Sequence, residues 1–552
     1  MSVCASCPAL PAIPAGIDTS AMLTMAGLIA AVWSVVPATT KLSFRLGLSW
    51  LDWAIIWSLL GLIHVFFFEP VLRWLHLFPV LGPWKWGFDK SVLQYSLFLA
   101  LVGFVYIRSR RTEVSRWKLP LFEKLAMALL HGRRFEELAG LLDRHLDSVL
   151  ELACREGIRR RLANWLRPTL VLPMFTRGAN GNICTVDAPM SRLAKLWRAA
   201  RDRAAHAMEP SEKVRGRAQG ILTSLLSSRK FAAYLALAHP YLCLRIMQRV
   251  TRHVEDFQDE CFVAFLEDEG SVLYAEIKNS EQLAGQQGHR LDLPEENRLL
   301  RFYLSDVSVA GNLGVFRSIG EAALARIEVD DVLMGRLNGP LFRYQEVGCH
   351  RCPIYTSIYF FRIMVLEGLH QRSNDHLWLH YAHHFAEKLL SRARPVQPSD
   401  EIHEFPTPLA YLLYCLVDVA CDWIEDAMVL TQEGDVIQDD VQEGRHVYIS
   451  FEATTALGAV LEPIILSDRV PDRLKSELLE VVLNSLKRVQ GPKRLAELAG
   501  AMCRNVITPH GFRGDARYLA LLRYFFDRQD HVLRGDVRRF DDALAEAEST
   551  AR

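Results

Sequence analysis

Three groups of residues have the types and spacing to do chemistry. The first is "FVAFLEDEGSVLYAEIKN", residues 262–279. Read as a hairpin, it puts Tyr274, Glu276 and Lys278 on one face of a strand, with Asp268 on the turn before it. An acid followed by Glu-x-Lys on a strand is the arrangement of metal-dependent nucleases, in which carboxylates hold Mg²⁺ and the lysine helps to position the attacking water. The same residues also read as a helix that opens after Ser271 as its N-cap. With thirteen lysines in the chain, one Glu-x-Lys is expected by chance. Asp268, Glu276 and Lys278 are the catalytic candidates, and the balance falls against an enzyme.

The second group joins Cys349 and Cys352 of "GCHRCP" to the histidines of "NDHLWLHYAHHFAEKLL". A CxxC followed by histidines has zinc-ligand chemistry. If Pro353 opens one helix and Asn374 caps an antiparallel second one, Cys352 lies some ~15 Å from His384 and about twice as far from His376, which separates the thiols from the imidazoles. The histidines alone are better placed. His376, His380, His383 and Glu387 share one helical face, opposite Trp378, Tyr381, Phe385 and Leu389, and His370 can join them across the turn. His370, His376, His380 and His383 are the metal-ligand candidates. The default is a polar stripe facing solvent or a partner, and no cofactor is predicted.

The third group is "TQEGDVIQDDVQEG", whose acids lack the alternate spacing and central glycine of a Ca²⁺ loop. It reads as a solvated loop. A phosphate-binding Gly loop, an HExxH helix and a Gly-x-Ser-x-Gly elbow are absent from the chain.

The elements that must position these residues follow from composition. A chain of 552 residues exceeds one compact core. Half its residues are hydrophobic and twelve are Trp, which fits a chain only partly in lipid. Formal charge is zero, but unevenly spread: net +1 over residues 1–107, +16 over 108–252 and −17 over 253–552.

Three apolar segments, Ala21–Ala38, Leu51–Phe68 and Ser91–Ile107, approach the ~20 residues a membrane-crossing helix needs. Asp52 and His64 interrupt the second, as packing residues of a helix bundle or as part of a proton or ion path. Trp74, Trp84 and Trp86 lie between the second and third, as headgroup-level anchors do. Lys41 and Arg45 precede the second segment, and Arg108, Arg110 and Arg111 follow the third. Three crossings put both basic flanks on the cytoplasmic side with the amino terminus outside. If Pro37 leaves the first segment in the interface, two spans remain, and everything after Ile107 is cytoplasmic either way.

Beyond the spans the chain reads as helices with short turns. Residues 124–153 form a helical hairpin broken at His131 and Gly132, and its layout returns ninety-six residues later: Leu129, Leu130, Arg133, Arg134 and Phe135 match Leu225, Leu226, Arg229, Lys230 and Phe231. Stacked helical pairs leave such a trace.

The expected fold is α: three, or two, transmembrane helices followed by a large solenoid-like helical domain. The expected divisions are a tail (1–20), a membrane anchor (21–112), a basic membrane-proximal domain (113–260) and an acidic helical domain (261–552). Arg108, Arg110, Arg111, Arg159, Arg160 and Arg161 are the candidates for contact with anionic lipid. No recognition motif accompanies the basic residues, so nucleic acid is set aside and protein partners or self-association are expected. The expected function is that of a cell-membrane protein whose cytoplasmic helices act as a scaffold or sensor. The alternatives are a membrane-tethered metal-dependent hydrolase or nuclease, and a membrane-disrupting effector.

Overall fold

The computed structural model describes residues 50–68, 90–109, 116–153, 174–177, 183–186, 212–249, 254–287, 293–371, 379–395, 405–432, 447–492, 495–509 and 515–551, with isolated positions between them. The chain is mostly α-helical and divides into two compact units, Met1–Leu225 and Leu226–Arg552. The boundary expected at residue 260 falls inside a helix, Val254–Glu267.

In the first unit, α1 (Trp50–Phe67) and α2 (Lys90–Ser109) pack against each other. Ile63, Phe98 and Leu101 form the buried seam, lined by Ile56, Leu59, Leu60, Leu97 and Val105. Asp52, near the start of α1, meets Arg108, near the end of α2, so the two helices run antiparallel. Large apolar side chains are exposed on both helices: Trp50, Leu51, Trp53, Ile55, Trp57 and Leu62 on α1, and Tyr95, Leu99, Val102, Tyr106 and Ile107 on α2. Most of Ala21–Ala38, and all three tryptophans between the second and third segments, lie outside the described residues.

The helical hairpin expected at 124–153 is present as α3 (Leu119–His131) and α4 (Phe135–Ala153). Pro120 opens α3 without loss of a backbone bond, because the first turn has no intrahelical acceptor for its N–H. Gly132 and Arg133 make the corner, Arg133 at a left-handed φ of 53°. A two-stranded antiparallel hairpin follows, β1 (Met174–Arg177) and β2 (Ile183–Val186), in register from Met174↔Val186 to Arg177↔Ile183. Then α5 (Glu212–Leu226) bonds back to the pair through Gln219 to the Ala153 carbonyl (3.1 Å) and Arg217 to Glu123 (3.0 Å).

The second unit is built from α6 (Arg229–Ala238), α7 (Pro240–Arg249), α8 (Val254–Glu267), α9 (Val272–Gln287), α10 (Arg298–Leu304), α11 (Val307–Leu313), α12 (Val315–Val329), α13 (Asp331–Leu337), α14 (Pro353–His370), α15 (His380–Arg392), α16 (Pro408–Gln432), α17 (Val447–Leu466), α18 (Asp472–Gln490), α19 (Ala496–Ile507), α20 (Ala516–Asp527), α21 (His531–Asp536) and α22 (Arg538–Ala551). Twelve of them form two layers. In one, α6, α8, α12, α15, α17, α19 and α22 each pack on the one before; in the other, α9, α14, α16, α18 and α20 do the same. From α14 to α20 the chain alternates between the layers, so each of these helices buries one face on its layer neighbours and another on the other layer. The repeated Leu-Leu/Arg/Phe motif marks two such corners: Phe231 at the start of α6, like Leu129 and Leu225 on the preceding helices, is buried.

Close approach within the first layer depends on two glycines. A Cβ at Gly320 of α12 would overlap the Tyr381 ring of α15, and one at Gly458 of α17 would overlap the Asn505 carbonyl of α19. Among the described residues one helix meets the measure of a membrane span by length and composition, Ile449–Leu466 within α17, yet 61% of that stretch is buried in the layer. Two shorter apolar helices, Trp50–Phe66 and Leu93–Arg108, are those of the hairpin.

Candidate functional site

The strand that the nuclease geometry requires is absent, because residues 272–287 form helix α9. Apolar Leu273, Tyr274 and Ile277 at helical spacing bury one side of it, and Ser271 precedes it as expected for a helix start. On a helix Glu276 and Lys278 diverge, and Lys278 is exposed. Glu276 is buried, and its carboxylate accepts from the backbone N–H groups of Leu299 (3.1 Å) and Leu300 (2.9 Å) at the start of α10. A carboxylate there satisfies donors that have no intrahelical partner. Burial raises its pKa, and these N–H bonds oppose the rise. Asp268 accepts from Gly270 N–H (2.8 Å) in the turn. Asp268 holds the turn before α9 and Glu276 the start of α10, while Lys278 faces outward, so the three candidates do not converge.

Three of the four candidate histidines lie among the described residues. His370 Nε2 lies 3.1 Å from Asp426 on α16, and His376 lies outside the described residues. His380 opens α15 and His383 lies one turn on, where the structure groups it with His384 and Glu387 instead. The CxxC thiols are buried, Cys352 at the N-cap of α14. Burial pushes the Cys349 thiol up to about 11 and raises Cys352 as well, so neither has the thiolate character of a reactive cysteine.

At the other end of the chain, Arg108, expected at anionic lipid, is engaged within the α1/α2 hairpin. Its Nε donates to Asp52 Oδ1 (2.6 Å), and Asp52 is only 2% exposed. A carboxylate in so apolar a setting is stable only when paired, and the arginine supplies the pair. His64 is satisfied within its own helix, Nδ1 donating to the Leu60 carbonyl (2.7 Å). Arg110, Arg111 and Arg159 to Arg161 lie outside the described residues, as does the acidic loop after Gln432.

The most concentrated polar array is one that sequence reasoning missed, between α14 and α16. Tyr355, Tyr359, Arg362 and His370 share a face of α14; Tyr411, Tyr414, Asp418, Asp422 and Asp426 share a face of α16. Tyr355 stacks on Tyr411 with centroids 6.3 Å apart, Arg362 lies 2.6 Å from Asp422, and His370 meets Asp426, so the paired numbers rise together and the helices run parallel. The array continues to α9, where Tyr355 donates to Glu281 (2.6 Å), and to α18, where Arg488 donates to Glu425 (2.5 Å). Burial raises Asp418, and raises Asp422 to about 6 against the pull of Arg362. Each of Arg362, His370 and Arg488 faces a carboxylate, so the array binds helix to helix. The signal for it was the Asp-x₃-Asp-x₃-Asp spacing of "DVACDWIED", one helical face of acids, whose cationic partners lie too far away in sequence to be paired by inspection.

No family model, no curated protein and no solved structure matches this chain.

Proposed function

We propose that the chain is an integral membrane protein whose helical stack serves as a solenoid-like scaffold for other proteins at the cytoplasmic face. The observation that carries this is the α1/α2 hairpin. Large apolar side chains cover its outer surface, and its one interhelical ion pair, among the described residues, sits at one end. In water such a surface is unfavourable by about 25 cal/mol per Å² of exposed apolar area, whereas in hydrocarbon it costs nothing. At 18 and 20 residues, the helices span about 27 and 30 Å, close to the apolar thickness of a bilayer. Asp52 and Arg108 then share the cytoplasmic end, next to the arginine run at 108–111.

The scaffold role is supported by the layered stack. Consecutive helices in such a stack present extended surfaces, and ion pairs and aromatic clusters fasten its layers. Large apolar side chains remain exposed at the end of α12 (Val329), the start of α13 (Val332) and the turn beyond it (Phe342), where a bulky residue sits at a left-handed φ of 42°. Exposed apolar groups and backbone strain of this kind accompany binding surfaces. The basic segment 108–252 is proposed to rest on anionic lipid, and the acidic remainder to extend into the cytosol.

Reporter fusions test the topology. A reporter active only in the cytoplasm should be active when fused after Arg111 or at Arg552, and silent within residues 70–90. An active reporter in that loop overturns the arrangement.

A further inference from the structure

His383, His384 and Glu387 lie on a single turn of α15, and one donor atom from each falls within 4.8 Å of the other two. The chemistry of the first pair is constrained. His383 Nδ1 lies 2.8 Å from the Ala459 carbonyl of α17. A carbonyl oxygen can only accept, so Nδ1 carries the proton, and in the neutral ring Nε2 is a lone pair. That lone pair is 3.5 Å from Glu387 Oε1, itself an acceptor. Two acceptors held this way are reconciled by a proton on the imidazole, by a water donating to both, or by a metal ion between them. His384 adds a third donor on the exposed side, its ring 5.6 Å from that of His383 and edge-on to Tyr381 at 6.2 Å. A proton has no use for a third ligand; a metal ion does.

We propose that His383, His384 and Glu387 bind a first-row transition-metal ion, with Zn²⁺ the natural occupant. Two imidazoles and one carboxylate are borderline donors that suit Zn²⁺, Ni²⁺ or Co²⁺ and disfavour Mg²⁺ and Ca²⁺. The backbone carbonyl of α17 acts as the outer partner that fixes the imidazole's tautomer and direction, as such partners do in metal sites. His384 and Glu387 are exposed, so the remaining coordination positions open to solvent and accept water or a donor from a bound molecule. His370, paired with Asp426, takes no part. This inference stands apart from the scaffold role and from the membrane anchor.

The test uses the full chain, tag-free in detergent, dialysed against Zn²⁺ and, separately, against Co²⁺. One Zn²⁺ per chain is expected, with binding weakened at least the ~10-fold that loss of even an outer partner costs, in His384→Ala and in Glu387→Gln. Both side chains are exposed, so circular dichroism should show both variants folded. Bound Co²⁺ should give the weak visible bands of nitrogen and oxygen ligands, without thiolate charge transfer in the near ultraviolet. Absence of stoichiometric metal, metal retained unchanged in both variants, or a thiolate spectrum would each overturn the proposal.

Discussion

Helix α17 is long and apolar enough to cross a membrane, yet most of that stretch is buried against α15, α16 and α19, whereas α1, shorter by the same measure, turns Trp50, Trp53 and Trp57 outward. Hydropathy does not separate them; surroundings do. In α17 the polar groups are used for packing: Thr454 and Thr455 accept from the Asn505 amide at 2.7 and 3.1 Å, and Gly458 lets the Asn505 carbonyl approach. Such contacts require a neighbouring helix on that face, and α19 supplies it. Around Gly61 of α1, by contrast, nothing lies within 4 Å of where a Cβ would stand, and among the described residues the helix packs on the seam it shares with α2. An apolar helix with protein on several sides is a core helix; one with protein on a single seam is, under the proposed function, matched to lipid on the others.

The largest expected effect comes from the hairpin's ion pair. Asp52→Ala leaves the Arg108 guanidinium without its partner, a loss of about 3 kcal/mol for a buried pair broken on one side. Thermal unfolding of the full chain in detergent measures it, and the exchange Asp52→Arg with Arg108→Asp should recover part of the loss. Equal stability of wild type and Asp52→Ala would mean that the pair does not hold the hairpin.

Next comes a matched pair of glycines. Gly458→Ala forces α17 from α19 and should cost about 2 kcal/mol, while Gly61→Ala, with open space around it, should stay within about 0.5 kcal/mol. Similar losses at both positions would erase the distinction between the helices.

A smaller effect concerns the polar array of the second unit. Asp422 has a folded pKa raised from 3.8 to about 6, chiefly by burial. The folded state therefore binds this proton more tightly than the unfolded chain. The resulting stabilisation is full below about pH 4 and is lost as pH rises through about 6. Asp418, Glu425 and Asp426 on the same helix, with Arg362 and His370 of α14 and Arg488 of α18, titrate or hold charge around it. The informative quantity is thus the difference in Tm between wild type and Asp422→Asn, which should shift against wild type between pH 4 and pH 6. A constant difference would contradict the assignment.

Sequence patterns revealed the regions with local causes. The α3/α4 hairpin was readable because apolar residues recur at helical spacing on both sides of Gly132. Residues 272–278 were ambiguous because "LYAEIK" satisfies a period of two and a period of 3.6 alike, and burial of Leu273, Tyr274 and Ile277 on one side settles it as helix. The role of Glu276 was hidden for a different reason: the N–H groups it serves belong to Leu299 and Leu300, beyond an intervening turn. Arg362 with Asp422, and Asn505 with Thr454, are likewise products of stacking that no local spacing announces. Of the metal candidates among the described residues, His383 enters the donor group, its Nδ1 held by the facing α17 carbonyl and its Nε2 3.5 Å from Glu387.

Contact with lipid tests the central claim most directly. The full chain in native membranes is irradiated with a photoactivatable phospholipid whose reactive group lies in the acyl region, and the labelled peptides are mapped. Label should fall within residues 50–67 and 90–109 and spare residues 447–466. Label on 447–466, or none on the hairpin, would contradict the account.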